Sequence, residues 1–524
     1  MTTFESVHES RVVGKLVAID RLILKGHLNG WMPKGAFARF LLVKSVLLVA
    51  FKGYVSRVTG QLKAHAMALA AKAGRSYEYL ERAHTAGSGS SKEELARAIA
   101  ERDGIQEGLI AVFSAVEPCM SFNVRGNRET HKLEVVRGAR KCLHFYFYIM
   151  DREFGFMHVR LQSWFPFNIQ VYVNGHEWLC RELERRGVGF KRSDNKILHV
   201  DNLELAQSLA ASFAERGWVR FLEALARRFN PYLQEVIRSG FGSYYWVVDQ
   251  CEVSTDVMFK NRKALQEVLP ELYEAALLHF SPEDVLRFLG RKLHPSLQAE
   301  VTTDQKCRVE GRRIKHRAGR NAIKMYDHVN VLRIETTINK PSDFKMLRYH
   351  EVDGQLVGKW VPMSKGVANL KRFFAVASAS NERYLDALGT VCSKVPKSRA
   401  IQALDDLSRP HTSGGRHVPR MQPLGPEDCG VFQAILHGEH AINGFRNRDI
   451  AKLIYPKPPS SPDEKRRRSA RVSRTIARLR GHVLITKVKG SHLYRITAKG
   501  MQLMTTAVRV RLRDFPEQYV QLAA

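Results

Sequence analysis

Four carboxylates in this 524-residue chain sit where solubility does not need them. Asp20 is a lone acid in the apolar run Leu16–Leu24, followed at once by Arg21. Asp249 and Asp256, with Glu252 between them, lie in Ser243–Phe259, which reads as strand, acidic turn and second strand. Glu335 stands mid-strand in Val331–Asn339, beside Arg333 and Thr337 and opposite an arm that carries Lys324. A carboxylate in such a place is either one half of a buried ion pair or an acid used for catalysis or metal binding. Two-metal phosphoryl transfer needs two or three carboxylates around ions about 4 Å apart. Asp20, Asp249, Asp256 and Glu335 are therefore the catalytic candidates, with Asp20, Asp249 and Glu335 as ligands for Mg²⁺ or Mn²⁺. The structural alternative is that each acid spends its charge on a neighbouring arginine. Asp151 and Glu153 fall in a hairpin turn and read as turn formers.

A second chemistry is carried by Glu464–Arg495, with eleven Lys/Arg against the single acid Glu464. Val472, Ile476 and Leu479 recur at i, i+4 and i+7, one buried stripe of a helix. Arg467, Arg471, Arg474 and Arg478 recur on roughly the other side, followed by Arg480. A strand Val483–Lys487, a turn at Lys489-Gly490-Ser491 and a return strand His492–Thr497 complete the segment. Helices over Glu427–His437 and Phe445–Leu453 precede it. The region resembles a winged helix-turn-helix domain, which implies a helix in a DNA major groove and a wing on the backbone. On that reading Arg467, Arg471, Arg474, Arg478, Arg480, Lys487 and Lys489 contact DNA.

The elements that would position the acids lie in residues 1–408, which mix helix and sheet. Arg11–His27 predicts one or two strands. Gly35–Gly74 and Lys92–Ala115 predict long helices. Leu143–Met150, Met157–Trp164 and Asn168–Val173 alternate with period two and predict three strands sharing one apolar face. Their other face carries His144, Tyr146, Tyr148, His158, Arg160, Gln162 and Gln170. His158, Arg160 and Gln162, with Lys324, are candidate contacts to DNA or RNA, because such side chains stack on bases and hold phosphates. An ordinary solvated or helix-covered face alternates in the same way. Asn321–Tyr326 and Val331–Asn339 predict a hairpin, and Ser364–Leu388 a core helix.

The hairpin's KMYD…LRIE pattern resembles the palm hairpin of phage and plasmid replication initiators over about fifteen residues. Initiators that nick DNA also carry a histidine–hydrophobic–histidine pair. The nearest match here, His437-Gly438-Glu439-His440, lies in the winged-helix region. More broadly, EPCMSFNVRG, FGFMHVRLQSWFPF, NGHEWL, YYWVVDQCEVSTDV, RIETTIN, SNERYLDAL and INGFRNRD resemble an abundant bacterial family of hypothetical or transposase-like proteins. That resemblance implies a mobile-element protein without assigning catalytic residues.

Charge agrees. Lys+Arg number 83 against 52 Asp+Glu, a formal net charge of +31, so a polyanion is the expected partner: DNA first, RNA as the alternative. The most apolar run, Phe40–Phe51, is twelve residues long and contains Lys44, too short for the roughly 20 residues of a membrane span. The N-terminus shows no signal-peptide pattern. Seven scattered cysteines without a CxxC pair predict reduced thiols, a cytoplasmic (when bound, nucleoid-associated) protein and no zinc. No P-loop or dinucleotide fingerprint appears, so neither ATP nor NAD is expected. The expected fold is α+β and multidomain: an N-terminal α+β region with the basic, aromatic sheet (1–240), a second α+β region with the acidic cluster (241–408), a linker (409–425) and the winged helix (426–510). A homodimer is compatible with this plan. The functional expectation is a nucleic-acid-binding, transposase- or nuclease-like protein of a mobile element. The alternative is a non-catalytic initiator, regulator or RNA-associated protein.

Overall fold

The computed structural model describes residues 4–81, 91–290, 301–308, 311–352, 355–392, 397–413, 415–436, 444–455, 457–488 and 490–511. The chain is α+β and multidomain, in two compact units: Met1–Tyr273 with Val285–Leu388, and Glu274–Asp284 with Gly389–Ala524.

The first unit is built on an 11-stranded sheet. In chain order the strands are β1 (Val12–His27), β2 (Tyr77–Tyr79), β3 (Gly108–Gly126), β4 (Leu133–Asp151), β5 (Gly155–Gln162) and β6 (Ile169–Asn174). A separate hairpin, β7 (Phe190–Ser193) and β8 (Lys196–Val200), comes next. The sheet then resumes with β9 (Tyr245–Phe259), β10 (Val301–Arg308), β11 (Gly311–Ala318), β12 (Asn321–His328) and β13 (Val331–Ile338). Their order is β10-β11-β12-β13-β9-β1-β6-β5-β4-β3-β2, antiparallel except for β2 on β3. Two meanders, β3 to β6 and β10 to β13, thus meet at the long central strands β1 and β9. This corrects the boundary expected at 240/241. Because β9 pairs with β1 on one side and with β13 on the other, residues on both sides of that point share one sheet.

Residues paired across a ladder share a face of the sheet. Arg313, Tyr326, Arg333 and Asp256 form one such row, and Lys315, Lys324, Glu335 and Ser254 the next. The opposite face presents Ile314, Met325, Ile334 and Thr255. The helix Leu370–Cys392, expected as a core helix, packs on that apolar side. Its buried Asn381 accepts from Thr336 Oγ1 (2.7 Å) and donates to Val253 O (2.9 Å) and Thr255 Oγ1 (3.1 Å). An internal amide is tolerated there because its polar atoms are paired.

Two helix expectations are corrected. Lys92–Ala115 is helical only over Lys92–Arg102. Gly104, at φ 60°, turns the chain left-handed, and Leu109–Ala115 enters β3. That run is buried on both sides and so shows no alternation to separate strand from helix. Gly35–Gly74 is broken into Ala36–Val43 and Phe51–Lys72 around Ser45, which also has positive φ.

In the second unit, helices Pro426–Ile435, Asn447–Ile454 and Pro462–Gly481 precede the hairpin Ile485–Lys487/Tyr494–Ile496 and the helix Ala498–Arg509. Phe445 bridges Tyr494 and adds a third strand position to the hairpin. Phe432, Ile435, Phe445, Ile450, Val472, Ile476, Leu479, Leu484 and Met504 close the core. The expected linker 409–425 is not a free tether. Met421 is fully buried in this core with Leu404 and Leu407, and the His482 ring lies 3.0 Å from Pro419 O. Its polar composition hid its apolar anchors, Met421 and Val418.

Candidate functional site

The polar face of the sheet opens into a cavity of about 490 Å³ between β12, β13, β9, β1 and β6. A β-bulge in β1 supplies two of its walls. Ile19 pairs with Val253 and Leu22 with Cys251, so both Asp20 and Arg21 stand opposite Glu252. A bulge re-aims side chains in this way, and both residues line the cavity although they are neighbours in sequence. The β7–β8 turn, Asp194-Asn195, closes over the cavity. The Asn195 side-chain amide donates to Asp20, and its Oδ1 accepts from Asn174 Nδ2 (2.9 Å).

Arg333, 1% exposed, is the centre of the arrangement. Its Nε and Nη2 donate to the two oxygens of Asp256 (2.5 and 2.6 Å), and its Nη1 donates to Asp20 Oδ2 (3.0 Å). Nη2 also donates to Asn195 O (2.9 Å). A planar five-donor fork suits two carboxylates and a carbonyl at once. His176, at the start of the helix Gly175–Arg185, lies behind this cluster, 2.9 Å from Ser254 Oγ. Burial, with Arg333 beside it, keeps His176 neutral.

One row along, Lys324 pairs with Glu335 and with Glu252 (3.2 Å), and the Tyr326 hydroxyl donates to Glu335 Oε2 (2.7 Å). Glu252 also accepts from Gln250 (2.8 Å) and Thr337 (3.2 Å). Burial alone would raise the Glu335 carboxyl. Lys324 outweighs it, with Tyr326 and Arg333, and holds it at about 2. Burial pushes the Asp20 carboxyl up to about 7 against the pull of Arg333, and Glu335 and Glu252 add to the rise. Glu252 is raised by burial and by Glu335. The cluster therefore combines a fixed anion, Glu335, with an acid, Asp20, poised to exchange a proton near neutrality. Such separated carboxyls mark sites used for chemistry as well as structural ion-pair networks.

Asp20, Asp256 and Glu335 are thus brought together, and Asp249 is not. Asp249 is the extra residue where the β1–β9 register steps from Ile23–Gln250 to Leu24–Val248, and it falls outside the cavity. Glu252 takes the place expected for it. The expected Mg²⁺ or Mn²⁺ set does not fit this arrangement. An ion between Asp20 and Asp256 would meet the Arg333 guanidinium, and one between Glu335 and Glu252 would meet the Lys324 ammonium. Among the described residues, one group of three side chains brings ligand atoms within 4.8 Å of one another, and it is Cys119, Cys142 and His144. The cavity retains hydrogen-bonding capacity of another kind. Arg21 lies 5.1 Å from the Tyr172 ring, and the buried Nε of both Arg21 and Arg313 has no hydrogen-bond partner. These donors suit an anionic, acceptor-rich ligand.

The aromatic and basic face expected to meet nucleic acid is occupied from within. The helix Lys92–Arg102 covers it, with Lys92 Nζ 4.3 Å from the Tyr146 ring and Arg97 4.0 Å from that of Phe156. Arg160 and the Tyr146 hydroxyl both donate to Glu117 (2.6 Å each). His158 lies between Tyr148 and Tyr172, and burial, with Arg21 and Arg160 nearby, pushes it down to about 3. Gln162 is 2% exposed, and its amide donates to Trp164 O (2.9 Å). His158, Arg160, Gln162 and the paired Lys324 are therefore internal parts of the unit, a correction to their expected role. The alternation was right; it could not reveal the helix that covers the face.

In the second unit the arginines of Pro462–Gly481 divide into two sets. Arg471 pairs with Glu427, and Arg478 with the buried Asp428, both acids in the first turn of Pro426–Ile435. Arg467, Arg474 and Arg480 are exposed, as is Lys487 on the hairpin; Lys489 lies outside the described residues. Beside Arg467 and Arg474 the helix carries small exposed side chains, Ala470, Ser473 and Ala477, with Arg466 exposed on the same side; Asn447 of the preceding helix donates to Ser473 Oγ. That leaves an exposed helix face with long cations beside a low floor, which can lie close against another surface.

No family model, curated protein or solved structure matches this chain.

Proposed function

We propose that this chain is a DNA-binding protein of a mobile genetic element that selects its site with a C-terminal winged helix. The observation that carries this reading is the exposed face of Pro462–Gly481: Arg467 and Arg474 beside the small Ala470 and Ala477, followed by a basic hairpin. The order helix, strand position, helix, helix, hairpin is that of a winged helix, in which the third helix enters the groove. An α-helix fits the major groove of B-DNA but not the deep, narrow one of A-form RNA, so duplex DNA is favoured over RNA.

The test is anisotropy with duplex DNA from the flanks of the gene, across a salt series. Arg467→Ala/Arg474→Ala should weaken binding and reduce the salt slope by about 2, one counterion for each lost phosphate contact. Arg471→Ala, whose partner is Glu427, should leave the slope nearly unchanged. An unaltered slope in the double variant removes the winged helix from recognition.

In the body, the paired carboxylates, the Tyr326 hydroxyl and the unpartnered donors of Arg21 and Arg313 support a phosphate-handling, nuclease- or transposase-like cavity. The ion pairs of Arg333 and Lys324 favour the second reading, a non-catalytic initiator or regulator. Denaturing gels of labelled single- and double-stranded flank DNA, run beside Glu335→Gln, separate the two. Cuts lost in the variant support the enzyme; intact strands under tight binding support the regulator.

A further inference from the structure

Outside the cavity, Cys119 on β3 and Cys142 and His144 on β4 place two sulfurs and one ring nitrogen within 4.8 Å of one another. The sulfurs are 2.9 Å apart. Cys142 is opposite Glu117 and Cys119 opposite Arg140, so the cysteines form a diagonal cross-strand pair on one face of the sheet, with His144 next along the same face. Cys142 and His144 are buried, and Cys119 is half-exposed, which leaves one open side.

His144 is set up as a ligand. Its Nδ1 lies 3.1 Å from Cys142 O. A carbonyl only accepts, so Nδ1 carries the proton and Nε2 keeps its lone pair. A metal-bound histidine makes this same outer contact, donating its second N–H to a backbone carbonyl. A disulfide is the competing fate of two neighbouring sulfurs, but it has no use for an imidazole locked in this tautomer.

We propose that Cys119, Cys142 and His144 form a binding site for a thiophilic divalent cation, Zn²⁺, with the fourth position open to water on the Cys119 side. Tetrahedral Zn²⁺ with Zn–S bonds of about 2.3 Å holds its sulfurs about 3.8 Å apart, so small rotations of the two cysteine side chains open the pair enough. Two thiolates neutralise the ion, and an imidazole adds no charge, so the occupied site is electrically balanced. Its place in the fold gives it a structural task. The β5 ladder on β4 begins at His144, and beyond that point β3 and β4 continue as a two-stranded ribbon. An isolated ribbon is marginal in water, and a cross-strand clamp at its root fixes the register. No spacing motif announces this site, because the donors are split between two strands as Cys-x22-Cys-x-His.

The test is titration of the reduced, metal-free full-length protein with Co²⁺ as a spectroscopic stand-in, then with Zn²⁺. The expected result is one Co²⁺ per chain with thiolate-to-metal charge-transfer absorption, displaced by Zn²⁺. Up to two protons are released per ion as the thiols ionise. Cys119→Ser, at the half-exposed position where folding is safest, should abolish the charge-transfer band. His144→Gln should lower affinity by at least the roughly 10- to 100-fold that loss of an outer-shell partner costs. The proposal is overturned by either of two results. One is Co²⁺ binding without thiolate absorption, or unchanged in Cys119→Ser. The other is reduced protein that takes up no ion and on exposure to air yields a Cys119–Cys142 linked peptide.

Discussion

Arg333→Met tests the reading of the cavity most directly. Methionine fills much of the arginine volume but donates nothing, so Asp20, Asp256 and the Asn195 carbonyl all lose their partner at once. Breaking a buried ion pair by removing one member costs about 3–5 kcal/mol, and a stranded carbonyl adds about 1 kcal/mol. At pH 7.5 the expected loss of stability is about 4–5 kcal/mol. Asp256→Asn in the Arg333→Met background should recover a good part of it at pH 7.5. The assay is urea unfolding followed by tryptophan fluorescence, which reports the first unit alone because all six tryptophans, from Trp31 to Trp360, belong to it. A deficit below about 1 kcal/mol would refute the claim that this guanidinium is the buried partner on which the two acids depend.

Two further outcomes are expected. Glu335 is held at about 2, below its ordinary value, so its stabilisation is present above about pH 4.5 and lost as pH falls toward 2. Glu335→Gln should flatten that acid limb by on the order of 3 kcal/mol, read as the difference in urea midpoints between pH 5 and 2.5; an unchanged acid limb would show that Lys324 does not hold this carboxylate. Gly175→Ala should destabilise the first unit by about 1–3 kcal/mol, since a Cβ there would lie 2.1 Å from Ile19 O, in the strand segment leading into the Asp20–Arg21 bulge. Full stability in that variant would mean the helix start and β1 are not packed as tightly as they stand.

Much of the fold was legible because period-two alternation survives wherever one face is apolar, as in β4, β5, β6 and β13. The helices of the second unit were legible from the stripe Val472, Ile476 and Leu479 with its flanking turns. What stayed hidden depends on partners distant in sequence. Asp249 and Asp256 look equivalent as letters, but the β9–β13 register sets Asp256 opposite Arg333, while a register step between β1 and β9 leaves Asp249 as the extra residue. The same holds for Arg471 and Arg478. Their helical spacing with Arg467 and Arg474 is correct, but acids in the first turn of another helix, Glu427 and Asp428, claim them. In each case the sequence identified charges that had to be used. It could not say whether an internal partner or an outside ligand would use them.

That distinction narrows where a ligand can act on this protein. A charge already matched by a buried partner cannot add much to ligand binding, because the ligand must first replace an interaction made in a low dielectric. Arg333, Lys324 and Arg160 are matched in this sense and serve to hold the first unit together. Arg21 and Arg313 in the cavity keep a buried donor in reserve, and Arg467 and Arg474 on the helix are exposed. Of the formal +31, these arginines are the ones whose removal should change binding more than folding. Substituting Arg21 and Arg467 separately, with stability and DNA affinity measured on each, would separate the work of the cavity from that of the helix. If either variant loses stability and affinity in parallel, that arginine belongs with Arg333 as a structural cation, and the division drawn here fails at that residue.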